Sequence, residues 1–436
     1  MTNKMAQIET RVAQILARFA KQKMLLGAAV GVIAGQERVA LSEGLALVGS
    51  ARALSVDDRF QVGCVAKLAL SLKTHELADA GSIDLARPIT FYLPELRDTA
   101  LDAVQVRHLL AHTSGYQPEN IFDPDVRFSY SWEQFVSYLR QTPLLFGPGK
   151  VFNYVHSGPV ILGELLRRLT DQSPSAIINE VAGSSASCDE QLLVQGHVFH
   201  PREKQYTKAE RADLADFWEA SLAGPALSVR HLTRIGEALL HRLLAAGPNE
   251  TEHGCVELPT LFGGQTNEET PVAFGPGFAR YRSGLYGLSA AISGQACAIR
   301  VDPANRSVIA VAVNSYQPGV RDRLLARVCW AVRNQTHEFD ELELTELVGF
   351  YQGAQDSRWQ ALMEDGNLVL RRANNAASTR KPAQGIVMQK NEHGRVVPVS
   401  GKQAVPVGFF LEPESRTPCF MVGTLSYKRV SDAQRS

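Results

Sequence analysis

The chain has 436 residues, enough for a large core and a second, smaller domain, because single cores stop growing at roughly 250–300 residues. Its 45 Lys and Arg balance 45 Asp and Glu, and no basic run or acidic tail breaks the mixture, so nothing electrostatic points to nucleic acid or to a membrane surface. Cys64, Cys188, Cys255, Cys297, Cys329 and Cys419 lie far apart without a CxxC pair, which suits separate reduced thiols better than a disulfide framework or a zinc site. In chain order, the first 24 residues place Ile8, Val12, Ile15, Leu16 and Phe19 at helical spacing between charges, unlike the unbroken apolar core of a signal peptide. They are expected to form a surface amphipathic helix on a cytoplasmic protein. No stretch is apolar for the length a bilayer requires. LLGAAVGVIAG and ERVALSEGLALVG then read as a hairpin about Gly35-Gln36.

The run from Cys64 to Ala80 is apolar almost all round, which predicts a buried central helix with Gly81 at its C-cap. From 82 to 270 the pattern is mostly helical, including VRHLLAHTSGY, SWEQFVSYLRQ, SGPVILGELLRRLT and SVRHLTRIGEALLHRLLAAG. Strands return as AISGQACAIRV and SVIAVAVNS around a turn at 302–306, followed by the helix VRDRLLARVCWAVRNQ. Strands at both ends with helices between predict an α+β domain over 1–337, an antiparallel sheet flanked by helices with a helical half inserted. Beyond Glu338 short β-prone pieces, with a hairpin turn at Asp365-Gly366, predict a small all-β barrel or sandwich over 338–430 and a disordered tail over 431–436.

The chemistry-bearing residues start at Cys64. A thiol at a helix N-terminus, with Lys67 one turn on along the same face, is favoured as thiolate and becomes a nucleophile toward acyl groups. Cysteine is also among the most buried residue types, and a nearby lysine can simply extend to solvent; this stretch alone favours that packing reading over a nucleophile. His108 and His112 are four apart but lack an HExxH glutamate or a third ligand, so no metal is expected. Ser114 lacks a lysine three residues on or a GxSxG elbow, and FGPGF and FGGQ lack the Lys-Ser/Thr of a phosphate cradle.

Taken together, FQVGCVAK (60–67), VRHLLAHTSGY (106–116), FGPGKVFNYVHSGPVILGELL (146–166) and FGPGFARYRSGLYG (274–287) resemble, in order and spacing, the serine β-lactamase and penicillin-binding-protein-like superfamily. The likeness is to its class C β-lactamase, esterase and D-aminopeptidase branch and spans about 25–335. The C-terminal region resembles the lipocalin-like domain appended to many members. The resemblance implies a β-lactamase/transpeptidase-like fold and a site in which Lys67 matches the family lysine and Tyr154 the base tyrosine. The family serine is replaced by Cys64 and the asparagine by His156. The third motif, read as Leu285-Tyr286-Gly287, has no His or Lys at its first position, which implies a substrate without the carboxylate that cation helps hold, or an apolar group resting there. The backbone N–H groups of Cys64 and Leu288 are the implied oxyanion hole. Retention of Lys67 and Tyr154 favours an active site, with the Tyr154 phenol pKa lowered beside Lys67.

The expected function is acyl transfer through a Cys64 acyl-thioester, an acyltransferase or a thioesterase/cyclase of secondary metabolism acting on carrier-protein or coenzyme A thioesters. The layout is similar to penicillin-binding-protein-type thioesterases. The alternatives are an esterase, amidase or β-lactamase-like hydrolase, and a non-catalytic homologue that binds a ligand or partner. No cofactor is expected; the expected partners are a small-molecule or peptidyl acyl substrate and an acyl carrier protein.

Overall fold

In the computed structural model the chain divides into two compact units, Met1–Leu258 with Asn267–Asn334, and Pro259–Thr266 with Gln335–Ser436. The structure describes residues 2–21, 25–116, 131–185, 190–200, 205–210, 224–252, 255–258, 271–316 and 319–333, and eight strands between 349 and 430. The expected boundary near 338, the turn at Asp365-Gly366, the FGGQ loop, Cys188 and the tail 431–436 lie outside the described residues.

The first unit is built on an eight-stranded antiparallel sheet. Its strands run, edge to edge, Glu37–Gly44, Gly27–Ala34, Ser307–Val313, Gln295–Asp302, Tyr286–Ile292, Ala279–Tyr281, Pro271–Phe274 and Val256–Glu257. The two ends of the unit meet as the second and third strands from one edge, where Ala28 pairs with Val313 and Ala34 with Ser307. The hairpin turns at Gly35, whose φ of +65° suits glycine. AISGQACAIRV, read as one strand, is two: Ser293 and Gly294 both have positive φ (48° and 73°) and make the tight turn between Tyr286–Ile292 and Gln295–Asp302. Two successive left-handed residues match the right-handed twist of a hairpin, which is why a Ser-Gly pair breaks an otherwise apolar run.

Each face of the sheet buries a separate core. On one face the N-terminal helix Thr2–Lys21 contributes Ile8, Val12, Leu16 and Phe19, and the helix Val320–Arg333 contributes Leu324, Leu325, Val328 and Cys329. These pack with Val30, Val32, Ile309 and Val311 from the sheet, so the stripe at helical spacing is buried against it, not laid on solvent. On the other face lies the helical half, with the central helix Ala66–Asp79 and the helices Ser157–Thr170, Pro174–Ala182 and Val229–Glu252. The central helix is buried from Ala66 through Leu70 and again at Lys73, Thr74 and His75, as its apolar sequence predicts, while Glu76 and Asp79 in its last turn are exposed, and Gly81 follows it with φ +75°. Among the described residues no helix is long and apolar enough to cross a membrane.

The second unit carries eight strands in one antiparallel sheet. Gly349–Gln352, Arg358–Glu364, Asn367–Arg372, Ile386–Lys390 and Val396–Pro398 pair in succession, and the first of them also pairs with the last strand, Leu425–Val430.

Candidate active site

The site forms where the central helix starts under the sheet. Cys64 lies in a tight turn, Gly63–Val65, that runs into the helix, and is half-buried. The turn is anchored from below: Gln61 N donates to Gln295 Oε1 at 2.9 Å and Cys297 Sγ to Val62 O at 3.1 Å. The strand Tyr286–Ile292 runs against the same turn. One turn along the helix, Lys67 is 3% exposed, and its Nζ lies 3.1 Å from Cys64 Sγ and 3.3 Å from His156 Nδ1. With the ammonium as donor, His156 accepts on Nδ1 and carries its proton on Nε2. His156 stands immediately before the helix Ser157–Thr170. Tyr154, two residues earlier, hydrogen-bonds to Cys64, and Lys67 Nζ sits 5.5 Å from its ring centroid.

Protonation follows from burial and from that lysine. Burial alone would push the Cys64 thiol up; the Lys67 charge and hydrogen bonds from Tyr154 and Lys67 outweigh it, so its pKa falls below the ordinary 9.0. Burial, then Lys67, brings His156 down to about 3, leaving it neutral. Tyr154 goes the other way from the sequence expectation. Burial first, and then the charge of Cys64, hold its phenol well above 10.0. Lys67 and Tyr154 therefore favour the Cys64 thiolate beyond what its burial alone would allow, while Tyr154 keeps its phenol proton and is a proton donor at rest and not a base.

Cys64, Lys67, Tyr154 and His156 are thus brought together across 93 residues of chain, 64 to 156 inclusive. Leu285 is not brought to them. It is 1% exposed and packs with the two terminal helices on the opposite face of the sheet. Tyr286 faces the site-side core, edge-on to Phe278 at 5.8 Å. The expectation that Leu285 lines the far wall, and the inference drawn from it about a substrate carboxylate, are corrected accordingly: strand alternation gives that wall to Tyr286. Gly287 takes φ +145° with a would-be Cβ 2.1 Å from Ile299 O, so no other residue fits there. Leu288 buries its side chain in the site-side core.

Residues not singled out for the site complete its walls. His112 stacks on Tyr154, with ring centroids 4.3 Å apart and planes 25° apart, and Phe274 closes the same cluster at 6.1 Å from Tyr154. His108 instead caps its own short helix, accepting from Gln105 N at 3.2 Å. Among the described residues no group of His, Cys, Asp and Glu is arranged to hold a metal ion. The FGPGF loop lies on the central helix: Gly277, at φ +101°, leaves no room for a Cβ beside Ser71, and Pro276 O meets His75 Nε2 at 3.0 Å. A pattern search for ligand spacing catches His112 for the wrong reason; a buried position just past the end of an apolar helix is the signal that marks it.

Comparison with known proteins places this geometry. The sequence model of the Beta-lactamase family matches residues 12–332. Esterase EstB of Burkholderia gladioli is 27% identical over 192 residues, 40% of this chain and 48% of its own. The chain thus spans about half the length of that curated relative and less of the next, Penicillin-binding protein 4 of Amycolatopsis lactamdurans, at 39%. Two solved structures share the fold at 19% identity. SurE aligns over 98% of this chain and 99% of its own with a TM-score of 0.62, and the D-amino acid amidase of Ochrobactrum anthropi SV3 over 75% and 99% with a TM-score of 0.60.

Proposed function

This chain belongs to the beta-lactamase family, and we propose that it is an acyl-transfer enzyme in which Cys64 is the nucleophile and the acyl-enzyme is a thioester. The relatives include an esterase, a beta-lactamase and a D-amino acid amidase, all hydrolases, and water is the acceptor this reading adopts. The observation that carries it is the placement of Lys67 Nζ 3.1 Å from Cys64 Sγ, with Tyr154 hydrogen-bonded to the same sulfur.

The steps follow from the protonation states. The Cys64 thiolate attacks the acyl carbonyl and forms the C–S bond, and the oxyanion is held by the backbone N–H groups of Cys64 and Leu288. The bond to the leaving group breaks as Tyr154 gives it a proton, and the tyrosinate so formed lies beside the Lys67 ammonium. Water then returns a proton to Tyr154 while its hydroxide attacks the thioester, releasing a carboxylic acid and the Cys64 thiolate. Lys67 stays charged throughout, and His156 offers Nε2–H to the acyl group.

Thiolate attack favours donors with good leaving groups. Thioester exchange is nearly balanced in energy, whereas an unstrained amide leaves as a strong base. The preferred donors are therefore thioesters, with activated esters next. Two structural relatives were solved with D-Leu and with D-phenylalanine; by extension the acyl group here carries an amino-acid residue, a peptidyl or aminoacyl thioester presented on a small carrier, on coenzyme A or on an acyl carrier protein. We take the eight-stranded meander of the second unit as a lipocalin-like barrel, and the cytoplasm, where thiols stay reduced, as the working compartment.

The test is intact-mass analysis after incubation with aminoacyl-pantetheine thioesters and 4-nitrophenyl esters. An acyl adduct is expected on the wild-type protein and on none of the Cys64→Ala protein, with faster turnover of thioesters than esters. No adduct, or an equal one on Cys64→Ala, refutes the nucleophile.

A further inference from the structure

Tyr154 sits in a stretch, 152–155, with no helix or strand to hold it, yet its hydroxyl must meet one sulfur atom. A loop residue placed that closely needs other pins, because a segment without a ladder has none of its own. His112 supplies them on both sides. Its carbonyl oxygen accepts from Asn153 N at 2.8 Å and its ring Nδ1 accepts from Val155 N at 3.2 Å, so the residues flanking Tyr154 are both tied to one histidine. The His112 ring also lies on the Tyr154 ring, 4.3 Å between centroids, and fixes its rotation. Phe152 and Phe274 meet the His112 ring edge-on at 6.1 and 4.9 Å and hold it in turn.

The backbone is shaped for this. His112 follows the short helix Val106–Leu110 in a left-handed conformation, φ +52°, which is uncommon for an L-residue other than Asn, Asp or His. That kink lets the carbonyl and the imidazole of one residue address the same facing segment. Because Nδ1 accepts, the ring proton is on Nε2 and the imidazole is neutral.

We propose that His112 is a positioning residue that holds the Tyr154 phenol against Cys64 Sγ. The inference rests on the reading of Tyr154 as the partner of Cys64 given under Proposed function. His112 touches neither the nucleophile nor the acyl group; it acts through Tyr154. Burial, reinforced by the charge of Lys67 and by His156, keeps its pKa well below 6.5, so the lone pair that accepts from Val155 N is present at neutral pH.

The experiment reads the pH profile of Cys64 alkylation by iodoacetamide in the full-length protein, by intact mass, with Cys64→Ala as the blank. Lys67 and Tyr154 act on Cys64 directly, His156 faces it through Lys67 and His112 through Tyr154, and the buried thiol of Cys297, pushed up to about 12, stays protonated over the range read. Tyr154→Phe removes the phenol and is expected to move the inflection up by about one pH unit. His112→Gly suits the left-handed backbone, so it removes the ring without adding strain, and is expected to move the inflection the same way. His112→Asn also tolerates that backbone and returns an acceptor to Val155 N; at least half the shift is expected to be recovered. The double variant His112→Gly/Tyr154→Phe is expected to titrate with Tyr154→Phe alone. A His112→Gly profile coincident with wild type, or a shift that adds to that of Tyr154→Phe, overturns the positioning role. If Tyr154→Phe leaves the profile unmoved, the phenol has no part at Cys64, and both readings fall together. Should His112→Gly not fold, His112→Asn decides in both backgrounds: a partial upward shift against wild type that vanishes in the Tyr154→Phe background upholds the role, and no shift against wild type, or a further shift beyond Tyr154→Phe, overturns it.

Discussion

Replacing Lys67 with Met removes the ammonium 3.1 Å from the Cys64 sulfur and leaves an unbranched side chain of similar length in a position 3% exposed. At an effective dielectric constant of ~20, unit charges at that separation attract by about 5 kcal/mol, an upper figure because the pair also loses hydration. Shifts produced by one adjacent opposite charge are typically about 1–3 pH units, and that is the range expected here. The direction is set by what is left. Burial is the largest influence on Cys64 and acts upward, and in the variant only the Tyr154 hydrogen bond and a backbone hydrogen bond at Cys64 oppose it, so the thiol moves toward or past its ordinary 9.0. Because the thiolate is the reactive form, alkylation at neutral pH should slow by roughly 10- to 1000-fold. The assay is iodoacetamide labelling with time, quantified by intact mass, on wild type and Lys67→Met across pH 5 to 10 (about the span in which thiols titrate). Equal labelling rates with coincident inflections would refute the argument that Lys67 sets the charge of Cys64.

Two further outcomes are expected. Gly287→Ala drives a methyl to 2.1 Å from Ile299 O at a φ of +145°, and a loss of at least about 2 kcal/mol should appear as a lower denaturation midpoint at unchanged slope; a midpoint equal to wild type would show that the strand relaxes. Stability should also rise with pH between about 4 and 6.5. His75, 2% exposed, is pushed down to about 4 from 6.5, chiefly by burial, so the unfolded chain binds its proton first as pH falls and the folded state loses stability through that window. The shift is worth roughly 3 kcal/mol for this one residue, and His75→Gln, which keeps a donor for Pro276 O, should flatten the dependence measured by urea denaturation. An equally steep dependence in that variant would count against it.

Much of the site is local and therefore readable in the chain. Cys64 and Lys67 share a face because they are three residues apart at the start of a helix, and that helix is recognisable because its apolar residues go all round it. The hairpin at Gly35 and the pairing of the first and last strands of the unit follow from alternation and turn chemistry, and the N-terminal stripe of Ile8, Val12, Leu16 and Phe19 is buried by the sheet as its spacing requires. Tyr154 and His156 are legible only as part of an ordered series, because no short-range signal links them to Cys64.

What the sequence could not supply depends on which surfaces meet. Leu285 and Tyr286 are both apolar and adjacent, so either could line the site; the register of Tyr286 opposite Val301 and Arg280 sends Leu285 to the terminal helices and Tyr286 to the site. The proton on Tyr154 depends on packing in a related way. Proximity to Lys67 argues for a lower phenol pKa, whereas burial and the charge of Cys64 argue for a higher one, and only the packed site shows that the second pair prevails. His112 is invisible as a partner of Tyr154 across 42 residues of chain until the fold stacks the two rings. Residue types and spacings along a helix are properties of the chain itself; the face a strand presents, the water a side chain loses and the charge it then carries are properties of the assembled core.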